Sequence, residues 1–443
     1  MPDLHIIILA AGASRRFGSG KSKVLHPLAG WPILRHVLHT ANALNPKAIT
    51  LVTSDALKDH PETAEILKDF PQTSVCVQAD AKGTADAVLT GTAHRQEEFS
   101  RTLVLLGDAP LLTPASLTNF LEKSENPFNT QHAHCAVLAM QQESPFGYGR
   151  CITDGDGFLT RIVEEKDCTP EEATTTLCNG GVLLLSDAAL FLLQSIQPSG
   201  ITGELYLTAL PHMLAQENRR SVVFTCDADQ LHGINTRQDL IIAERFLQEC
   251  LRKRILDSGV TLRAPETVFL AADTEIGADS IIDPFVTFGL GVNLAAGTHV
   301  KSFSHLEHTT TEPNVTIGPM AHLHQGTYLE KGVRVGNFVE VVRSHLGAET
   351  KAKHLAYLGD TTTDKSVNIG AGTVTCNFDG QQKHKAHLKA GAFIGSNTSL
   401  VAPITVAENG LVAAGSTITQ NVPKDQVAFG RARQVNKPRK RKA

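Results

Sequence analysis

The sequence has no run of about 18 apolar residues, which is the length that a helix needs to span a membrane. Its first residues lack the basic, apolar and small-residue order of an export signal. The eight cysteines are scattered and no two form a C-x-x-C pair, which argues against a disulfide framework and a cysteine zinc site. These absences predict a cytoplasmic protein with reduced thiols and no membrane partner.

Excess charge of one sign is also lacking, because the formal net charge is only −4 over 443 residues. We therefore expect no nucleic-acid partner. Only residues 437–442 are strongly basic, and we interpret them as a solvated, frayed end. A hydrophobic fraction of 42% and a charged fraction of 19% are typical of a globular protein, and the length predicts two or three domains.

A stretch rich in small and basic residues, LAAGASRRFGSGKSK from Leu9 to Lys23, follows a short β-branched run. Small residues let backbone N–H groups approach an anion, and cations neutralise its charge. We interpret the stretch as a phosphate-binding loop; the alternative is a basic surface loop after an edge strand. It is not a Walker P-loop, because Arg15 occupies the position of that motif's first glycine.

Short apolar runs alternate with helical patterns between residue 5 and about residue 225. This order is typical of a doubly wound α/β fold, in which ligands bind at the carboxyl ends of the strands. The predicted strands cover 6–9, 48–52, 74–78, 102–107, 135–140 and 181–185, and the predicted helices cover 33–44 and 84–95.

Asp108 follows the most apolar of these predicted strands. A carboxylate that faces a phosphate loop is a hard oxygen ligand suited to Mg²⁺. The alternative is a turn cap, since Asp before Ala-Pro is common in turns. Gly83 and Thr84 open a predicted helix, whose N-terminus could face an anion or a base edge.

The second half of the chain is dominated by a six-residue repeat, which follows an amphipathic helix predicted at 237–256. Three hexapeptides make one triangular coil of a parallel β-helix, and one large aliphatic or aromatic residue per hexapeptide points inward. Coils of this class resemble the left-handed kind, an exception to the usual crossover hand. The residues spaced by six are Ile276, Ile282, Phe288, Leu294, Val300, Leu306, Ile317, Leu323, Leu329, Val335, Val341, Ile394, Leu400, Val406, Val412 and Ile418.

The longest interruption of the repeat lies at 375–387, and we expect this loop to reach a neighbouring subunit. His354 precedes it, three residues before Tyr357. A neutral imidazole can act as a general base, because its pKa lies near the working pH. A lone histidine is more often structural, so this interpretation depends on the surrounding motif.

Taken in order, the motifs resemble the sugar nucleotidyltransferases, and specifically the bifunctional N-acetylglucosamine-1-phosphate uridyltransferase/glucosamine-1-phosphate acetyltransferase family. The matching pieces are LAAG (9–12), KVLHPLAG (23–30), GT (83–84), GD (107–108), GYGR (147–150), IVEEKD (162–167), CNGG (178–181), TGELYLT (202–208), GIN (233–235), KAKHLAYLGD (351–360) and NIGAG (368–372).

The resemblance implies a Rossmann-like nucleotidyltransferase domain followed by a left-handed parallel β-helix of hexapeptide repeats. It divides the chain into a pyrophosphorylase domain at 1–230, a helical arm at 231–260, an acetyltransferase domain at 261–425 and a basic tail at 426–443. A cytoplasmic homotrimer joined through the β-helix is expected.

The resemblance also implies two reactions of UDP-N-acetylglucosamine synthesis, which supplies peptidoglycan and lipopolysaccharide. Acetyl-CoA acetylates glucosamine-1-phosphate, and UTP with Mg²⁺ then uridylylates N-acetylglucosamine-1-phosphate with release of pyrophosphate. In one alternative only the nucleotidyltransferase works, and the β-helix serves trimerisation and regulation. In another, the β-helix chain is a non-enzymatic scaffold.

In the first domain the resemblance makes Arg16 and Lys23 catalytic cations and assigns Mg²⁺ to Asp108 and Asn235. The residues that would bind the nucleotide and the sugar are Leu9, Ala10, Ala11, Gly12, Lys23, Gln78, Gly83, Thr84, Gly107, Asp108, Gly149, Glu164, Asn179 and Asn235.

In the second domain the resemblance makes His354 the catalytic base and gives the oxyanion to the backbone N–H of Ala371. The acetyl acceptor would be bound by His324, Tyr357, Asn368 and Lys383. The residues that would bind acetyl-CoA are Ala371, Asn377, Phe378, Ser396, Ala414 and Arg431.

Two departures from the family pattern lie in the nucleotide site, where Ser14 replaces a usual glycine and Leu106 a common tyrosine. The GASRRFG loop also looks like that of cytidylyltransferases, so the choice of nucleotide stays open.

Two further departures lie in the acceptor site, where His324 replaces an arginine and Val342 replaces a lysine. They are eighteen residues apart, so we expect them on neighbouring strands, both pointing outward into one subsite. Arg343 should face elsewhere, because side chains alternate along a strand. We therefore expect acetyl transfer with a weakened or altered acceptor site.

Overall fold

The computed structural model describes residues 3–12, 15–18, 20–94, 99–199 and 203–439. These residues form two compact units, one up to residue 247 and one from residue 248. Ser14, Thr202 of the TGELYLT motif and residues 440–442 of the basic tail lie outside the described residues. Among the described residues, no helix is both long and apolar enough to cross a membrane.

The first unit is an α/β layer structure. Its strands are β1 (Leu4–Leu9), β2 (Pro27–Leu28), β3 (Trp31–Pro32), β4 (Ala48–Thr53), β5 (Thr73–Val77), β6 (Arg101–Leu106), β7 (Ala133–Gln141), β8 (Arg150–Thr153), β9 (Leu159–Val163), β10 (Leu177–Ser186) and β11 (Arg220–Thr225). Its helices are α1 (Ile33–Ala43), α2 (Asp55–Lys58), α3 (Pro61–Leu67), α4 (Thr84–Ala93), α5 (Pro114–Thr130), α6 (Asp187–Leu193) and α7 (Leu210–Gln216).

The main sheet has the order β11-β7-β10-β6-β1-β4-β5, with β8 and β9 attached beside β10. The strands β6, β1, β4 and β5 are parallel neighbours, so their carboxyl ends lie along one edge. The strand β10 runs antiparallel to β6, which brings its beginning to that same edge. Apolar side chains of α1 and α5 cover one face of the sheet, and those of α4, α6 and α7 cover the other. This architecture confirms the predicted Rossmann-like fold.

A long helix, α8 (Arg237–Asp257), matches the amphipathic helix predicted at 237–256. Its first part packs Ala243 into a cluster with Phe17 and Ile234. Its second part is tied to the strands that follow, because the side chain of Gln248 exchanges two hydrogen bonds of 2.7 and 3.0 Å with the backbone of Leu270.

The second unit is a parallel β-helix built from short strands. They are β12 (Thr261–Leu262), β13 (Glu275–Ile276), β14 (Ile281–Ile282), β15 (Thr287–Phe288), β16 (Asn293–Leu294), β17 (His299–Val300), β18 (His305–Leu306), β19 (Thr309–Thr311), β20 (Thr316–Ile317), β21 (His322–His324), β22 (Thr327–Leu329), β23 (Arg334–Val342), β24 (His345–Leu346), β25 (Lys351–Gly359), β26 (Thr361–Thr363), β27 (Asn368–Ile369), β28 (Val374–Cys376), β29 (Ala386–Leu388), β30 (Phe393–Ile394), β31 (Ser399–Val401), β32 (Ile404–Val406), β33 (Leu411–Val412), β34 (Thr417–Ile418) and β35 (Val427–Ala428).

The strands stack on three faces, and each residue pairs with a counterpart on the next coil. Thr316 pairs with Arg334 and Arg334 with Lys351, so one coil takes 18 residues and the next takes 17. The coil that contains the interruption is longer, since Thr361 pairs with Ala386. Every residue of the predicted six-residue repeat is buried. The left-handed parallel β-helix predicted from the repeat is therefore confirmed.

The stacked, inward-pointing residues of the six-residue repeat should contribute most of the stability of the β-helix. Leu294 and its neighbour Asn293 allow a test of this within one strand. Leu294 is 1% exposed, whereas Asn293 faces solvent. We expect Leu294→Ala to lower the free energy of unfolding by about 2–5 kcal/mol, because a cavity replaces packed methyl groups. Asn293→Ala should change it by less than about 0.5 kcal/mol. Denaturant unfolding measures both, and equal effects would contradict the inward assignment.

Candidate active sites

Lys23, predicted to neutralise phosphate charge, meets the two predicted Mg²⁺ ligands, Asp108 and Asn235, at the carboxyl edge of the first unit's sheet. The ammonium group of Lys23 forms a salt bridge with the carboxylate of Asp108. It also donates a hydrogen bond of 2.8 Å to the amide oxygen of Asn235, 212 residues away in sequence. The side chains of Lys23 and Asp108 are 13% and 19% exposed, so this cluster is shielded but open to a ligand.

Close backbone packing between β1 and β6 places Asp108 in this cluster. The N–H of Gly107 donates to the carbonyl of Leu9 at 2.8 Å. A Cβ atom on Gly107 would lie 3.0 Å from the side chain of Ala10, so only glycine fits without displacement. The carbonyl of Asp108 accepts a hydrogen bond of 2.9 Å from Ile234, which brings the neighbouring Asn235 alongside.

The predicted nucleotide-binding residues at the end of β5 form a second group on the same edge. The side chain of Gln78 is buried and donates to the carbonyl of Gly83 at 3.0 Å and to Asp86 at 2.7 Å. Gly83 has a φ of 126° and lies so close to Leu205 that a side chain would clash. The hydroxyl of Thr84 accepts a hydrogen bond of 2.9 Å from the N–H of Leu207.

The three predicted sugar-binding residues adjoin one another at the start of β10. The N–H of Asn179 donates to the carbonyl of Gly149 at 2.8 Å. The amide oxygen of Asn179 accepts a hydrogen bond of 3.0 Å from Gly181. Glu164 accepts a hydrogen bond of 2.7 Å from the hydroxyl of Thr208, which holds its carboxylate in one orientation.

The loop after β1 is more open than the rest of this edge. Gly12 and Arg16 are exposed, and Ala11 is half-buried. Within the described residues, no hydrogen bond or ion pair joins Arg16 to Lys23 or Asp108. The structure thus brings Lys23, Asp108 and Asn235 together and leaves Arg16 at the rim.

In the second unit His354 lies at one corner of the β-helix, stacked directly on Asn337 of the preceding coil. Its Nδ1 atom is 2.7 Å from the amide oxygen of Asn337. An Nδ1–H donor satisfies that oxygen and leaves Nε2 unprotonated as a base. Asn337 was not predicted from the sequence, because only the 17-residue offset between these coils brings it beside His354.

Three of the predicted acetyl-CoA-binding residues lie at the same corner as His354, on the coils that follow it in sequence. The carbonyl of Ala371 accepts a hydrogen bond from Asn397, and the carbonyl of Ser396 accepts one from Gly415. Ala371, Ser396 and Ala414 therefore occupy equivalent places on successive coils above His354. Arg431 is exposed and its side chain lies near Gly415.

The predicted acceptor residue Tyr357 adjoins an ion-pair network that the sequence did not predict. The guanidinium of Arg343 donates two hydrogen bonds of 2.8 and 3.0 Å to the carboxylate of Asp360. Asp360 also accepts from the amide of Asn377. The Arg343 guanidinium, with Asn377, holds the pKa of Asp360 below its usual range. The side chain of Tyr357 lies close enough to influence the charge of the Arg343 guanidinium, and Lys383 contributes a positive charge near Asp360.

The expectation that Arg343 faces elsewhere is wrong. Arg343 has a φ of 48°, in the left-handed region, so the strand turns there and the usual alternation of side chains ends. Its side chain consequently enters the cluster that contains Tyr357 and Asn377.

The loop between β28 and β29 is ordered by its own hydrogen bonds. The carboxylate of Asp379 accepts from the backbone of Gln381 and Gln382, at 2.8 and 2.7 Å, and from His384 at 2.7 Å. The N–H of Gln382, followed by His384, lowers the pKa of Asp379. Phe378 and Lys383 are exposed on this loop, and Asn368 is half-buried on β27.

His324 and Val342 pair in register on neighbouring strands, as their spacing predicted. Val342 lies on the same outer face as His324, but it is 3% exposed, so neighbouring side chains cover it and it does not line an open subsite. His324 instead faces carboxylates: its Nε2 lies 3.0 Å from Glu340 and its Nδ1 lies 4.0 Å from Glu307. Burial, followed by the imidazoles of His324 and His305, lowers the pKa of the adjacent His322.

Comparisons with known proteins agree with both units. Residues 6–230 match the model of the MobA-like NTP transferase domain. The bifunctional protein GlmU of Azorhizobium caulinodans is 41% identical over 98% of this chain and 96% of its own length. The GlmU proteins of a Jannaschia species and of Streptococcus agalactiae are 39% and 36% identical, each over 98% of this chain, and over 94% and 96% of their own lengths.

These relatives span both units and therefore disfavour the two alternatives in which the β-helix has no enzymatic role. The predicted pairing of uridylyl transfer with acetyl transfer is confirmed at the level of the family. The chain thus belongs to the family of bifunctional GlmU proteins, enzymes that combine a uridyltransferase and an acetyltransferase in one polypeptide.

Proposed function

We propose that this chain acetylates glucosamine-1-phosphate at the β-helix and joins the product to UTP at the carboxyl edge of the sheet. The observation that carries the assignment is that two separate clusters fit these two steps. Lys23, Asp108 and Asn235 converge in the first unit, and His354 and Ala371 share a corner in the second. The four-part division of the chain and its cytoplasmic location remain predictions.

The residues of the first cluster fit a magnesium site. A carboxylate and an amide oxygen meet at one ammonium group, and hard oxygen donors of this kind suit Mg²⁺. Asp108 and Asn235 would hold the ion, and Mg²⁺ when bound neutralises charge on a triphosphate and orients it. Lys23 contacts only one carboxylate oxygen of Asp108, which leaves the other oxygen for a metal, and the phosphates would offer its ammonium a further partner.

Uridylyl transfer at this edge is an in-line displacement. A phosphate oxygen of N-acetylglucosamine-1-phosphate attacks the α-phosphorus of UTP, the bond to the bridging oxygen breaks, and pyrophosphate leaves. Such a reaction depends on positioning and charge neutralisation rather than on a covalent protein group. Lys23 and Arg16 supply positive charge, and Asn179 and Glu164 supply hydrogen bonds for sugar hydroxyls.

Acetyl transfer uses the corner of the β-helix. The Nε2 atom of His354 accepts a proton from the ammonium of glucosamine-1-phosphate, while Nδ1–H remains bonded to Asn337. The amine nitrogen attacks the thioester carbonyl, and the backbone N–H of Ala371 steadies the oxyanion. The carbon–sulfur bond then breaks, and the proton that the amide nitrogen loses goes to the departing CoA thiolate.

Two variants separate the reactions. His354→Ala should lower the rate of CoA release by a factor of about 100 or more, because it removes the general base. It should leave uridylylation of N-acetylglucosamine-1-phosphate unchanged. Asp108→Asn should lower uridylylation and leave CoA release unchanged, since one negatively charged metal ligand is lost. Mass spectrometry of products formed from Mg²⁺, UTP, acetyl-CoA and either sugar phosphate measures both. If either variant abolished both reactions, the proposal that the two reactions occur at independent sites would be contradicted.

A homotrimer explains an apolar ridge along the His354 corner. Five large side chains are about half exposed there, and each occupies a left-handed corner position with a φ between 46° and 62°: Phe285, Phe303, Met320, Phe338 and Leu355. The rings of Phe285 and Phe303 stack at 5.2 Å. Bulky residues rarely adopt this backbone conformation, and exposed apolar patches usually mark contacts. The ridge ends beside His354, which supports a base located at a subunit boundary.

Phe338→Glu should dissociate the trimer and lower acetyl transfer while uridylyl transfer persists, because a charge would be buried in the contact. Phe191→Glu is the control, since Phe191 is 74% exposed in the first unit. Sedimentation equilibrium gives the oligomeric state. If the Phe338→Glu protein remained trimeric, the ridge would not be part of the subunit interface.

Arg343 restores a cation to the acceptor site. Two of its nitrogens, Nε and Nη2, bond Asp360, and the third, Nη1, bonds the amide oxygen of Gln325 at 2.6 Å. A phosphate group can replace that neutral acceptor with a stronger, charge-assisted one. Arg343 then binds the sugar phosphate beside Lys383. It thereby offsets part of the positive charge lost where His324 and Val342 replace an arginine and a lysine.

Arg343→Met should raise KM for glucosamine-1-phosphate by about tenfold or more, because a charge-assisted hydrogen bond contributes about 1.5–3 kcal/mol. The kcat for acetyl transfer and the KM for acetyl-CoA should change little. Arg334→Met, at an exposed arginine on β23, the strand that directly precedes Arg343, is the matched control. If both variants gave the same KM as the unaltered chain, Arg343 would have no role in acceptor binding.

A further inference from the structure

An array of imidazoles and carboxylates covers one outer face of the β-helix. His305, His322 and Glu340 form one stacked row on β18, β21 and β23, because His305 pairs with His322 and His322 with Glu340. Two residues further along the chain, Glu307, His324 and Val342 form a second row, in which Glu307 directly follows β18 and its N–H donates to the carbonyl of Leu323. Residues two apart on a strand face the same side, so both rows point to one surface.

The members of this array are close enough to share a ligand. The rings of His322 and His324 stack at 4.2 Å with an angle of 5° between their planes. His322, His324 and Glu307 each offer one ligand atom, and these three atoms lie within 4.8 Å of one another. Nε2 of His324 bonds Glu340 at 3.0 Å, which leaves its Nδ1 directed toward Glu307 at 4.0 Å.

We propose that Glu307, His322 and His324 bind a divalent transition-metal ion of the zinc class, with Glu340 orienting His324. Two imidazoles and one carboxylate are an established donor set for Zn²⁺, and one open position remains for water or a ligand. A carboxylate on the second nitrogen of a metal-binding histidine fixes its tautomer, and Glu340 occupies that position. Mg²⁺ is disfavoured, since it prefers oxygen donors.

Only small side-chain rotations are needed to close the site. Ligand atoms on a tetrahedral zinc ion are about 3.3 Å apart, given metal–ligand distances of about 2.0–2.1 Å. The separation of 4.0 Å between His324 and Glu307 exceeds this by about 0.7 Å, and since all three atoms lie within 4.8 Å of one another, no pair exceeds it by more than about 1.5 Å. The Glu307 side chain is 39% exposed, so it can rotate toward the imidazoles without disturbing the packed interior.

The position of the array gives it a consequence for the acceptor site. Glu340 pairs in register with Tyr357 on the next coil, so the metal lies one or two strand spacings from a residue that we assign to acceptor binding. The open position of the ion could then take a phosphate oxygen of the sugar, replacing charge lost at His324 and Val342. This consequence, unlike the metal site itself, rests on the proposed function.

Cobalt absorption provides the test. Full-length protein is treated with a chelator, returned to saturating Mg²⁺ to occupy the nucleotide site, and titrated with Co²⁺, with Zn²⁺ used as competitor. We expect one Co²⁺ per chain with the intense visible bands of tetrahedral coordination, displaced by Zn²⁺. His322→Ala should abolish these bands, Glu307→Gln should weaken binding, and Glu340→Gln should weaken it by about 10–100-fold.

His345→Ala is the matched control, because His345 bonds Glu330 on a different stack of strands. It should bind Co²⁺ like the unaltered chain, and thermal unfolding verifies that each variant is folded. Absence of tetrahedral Co²⁺, or equal binding by His322→Ala and His345→Ala, would overturn the site and leave His324 as an ion-paired surface histidine.

Glucosamine-1-phosphate kinetics separate the metal site from the acceptor role. Added Zn²⁺ should lower KM for this substrate in the unaltered chain and not in His322→Ala. Tetrahedral Co²⁺ with an unchanged KM would overturn the acceptor role alone. Tetrahedral Co²⁺ in a chain without acetyl transfer would overturn the proposed function while the metal site stands.

Discussion

Parallel pairing of strands is the constraint on which both units depend. In the first unit it aligns the carboxyl ends of β1, β4, β5 and β6 along one edge. In the second it places residues above counterparts 17 or 18 positions earlier, or 25 positions earlier across the interruption of the repeat. Residues distant in sequence therefore become neighbours by register alone, and both candidate sites lie where such register leaves polar groups at an edge or a corner.

One corner of the β-helix changes character along its length. Below His354 it carries large apolar side chains, and above it the equivalent places hold Gly372, Asn397 and Gly415. Large residues suit a contact with another subunit, whereas small ones let an extended ligand lie against the backbone. His354 stands at the transition, where a subunit boundary and a groove for acetyl-CoA would meet.

The outer face near Tyr357 shows how the chain accommodates His324 and Val342 in place of two positively charged residues. Val342 is covered, His324 turns toward Glu307 and Glu340, and Arg343 enters the cluster from a left-handed backbone position. Positive charge is therefore redistributed around the acceptor site. The carboxylates that would repel a sugar phosphate are held either by Arg343 or by imidazoles.

The sequence alone determined the β-helix, since a six-residue spacing of inward residues has few other structural solutions, and every predicted member is buried. It also determined the strand-loop-helix order of the first unit and the candidate roles of Asp108 and His354. Only the tertiary structure decided the contacts of Lys23 with Asn235, of His354 with Asn337 and of Arg343 with Asp360. Periodicity specifies which face a side chain takes, whereas coil offsets, left-handed corners and loop closure specify what it meets, and those depend on the whole fold.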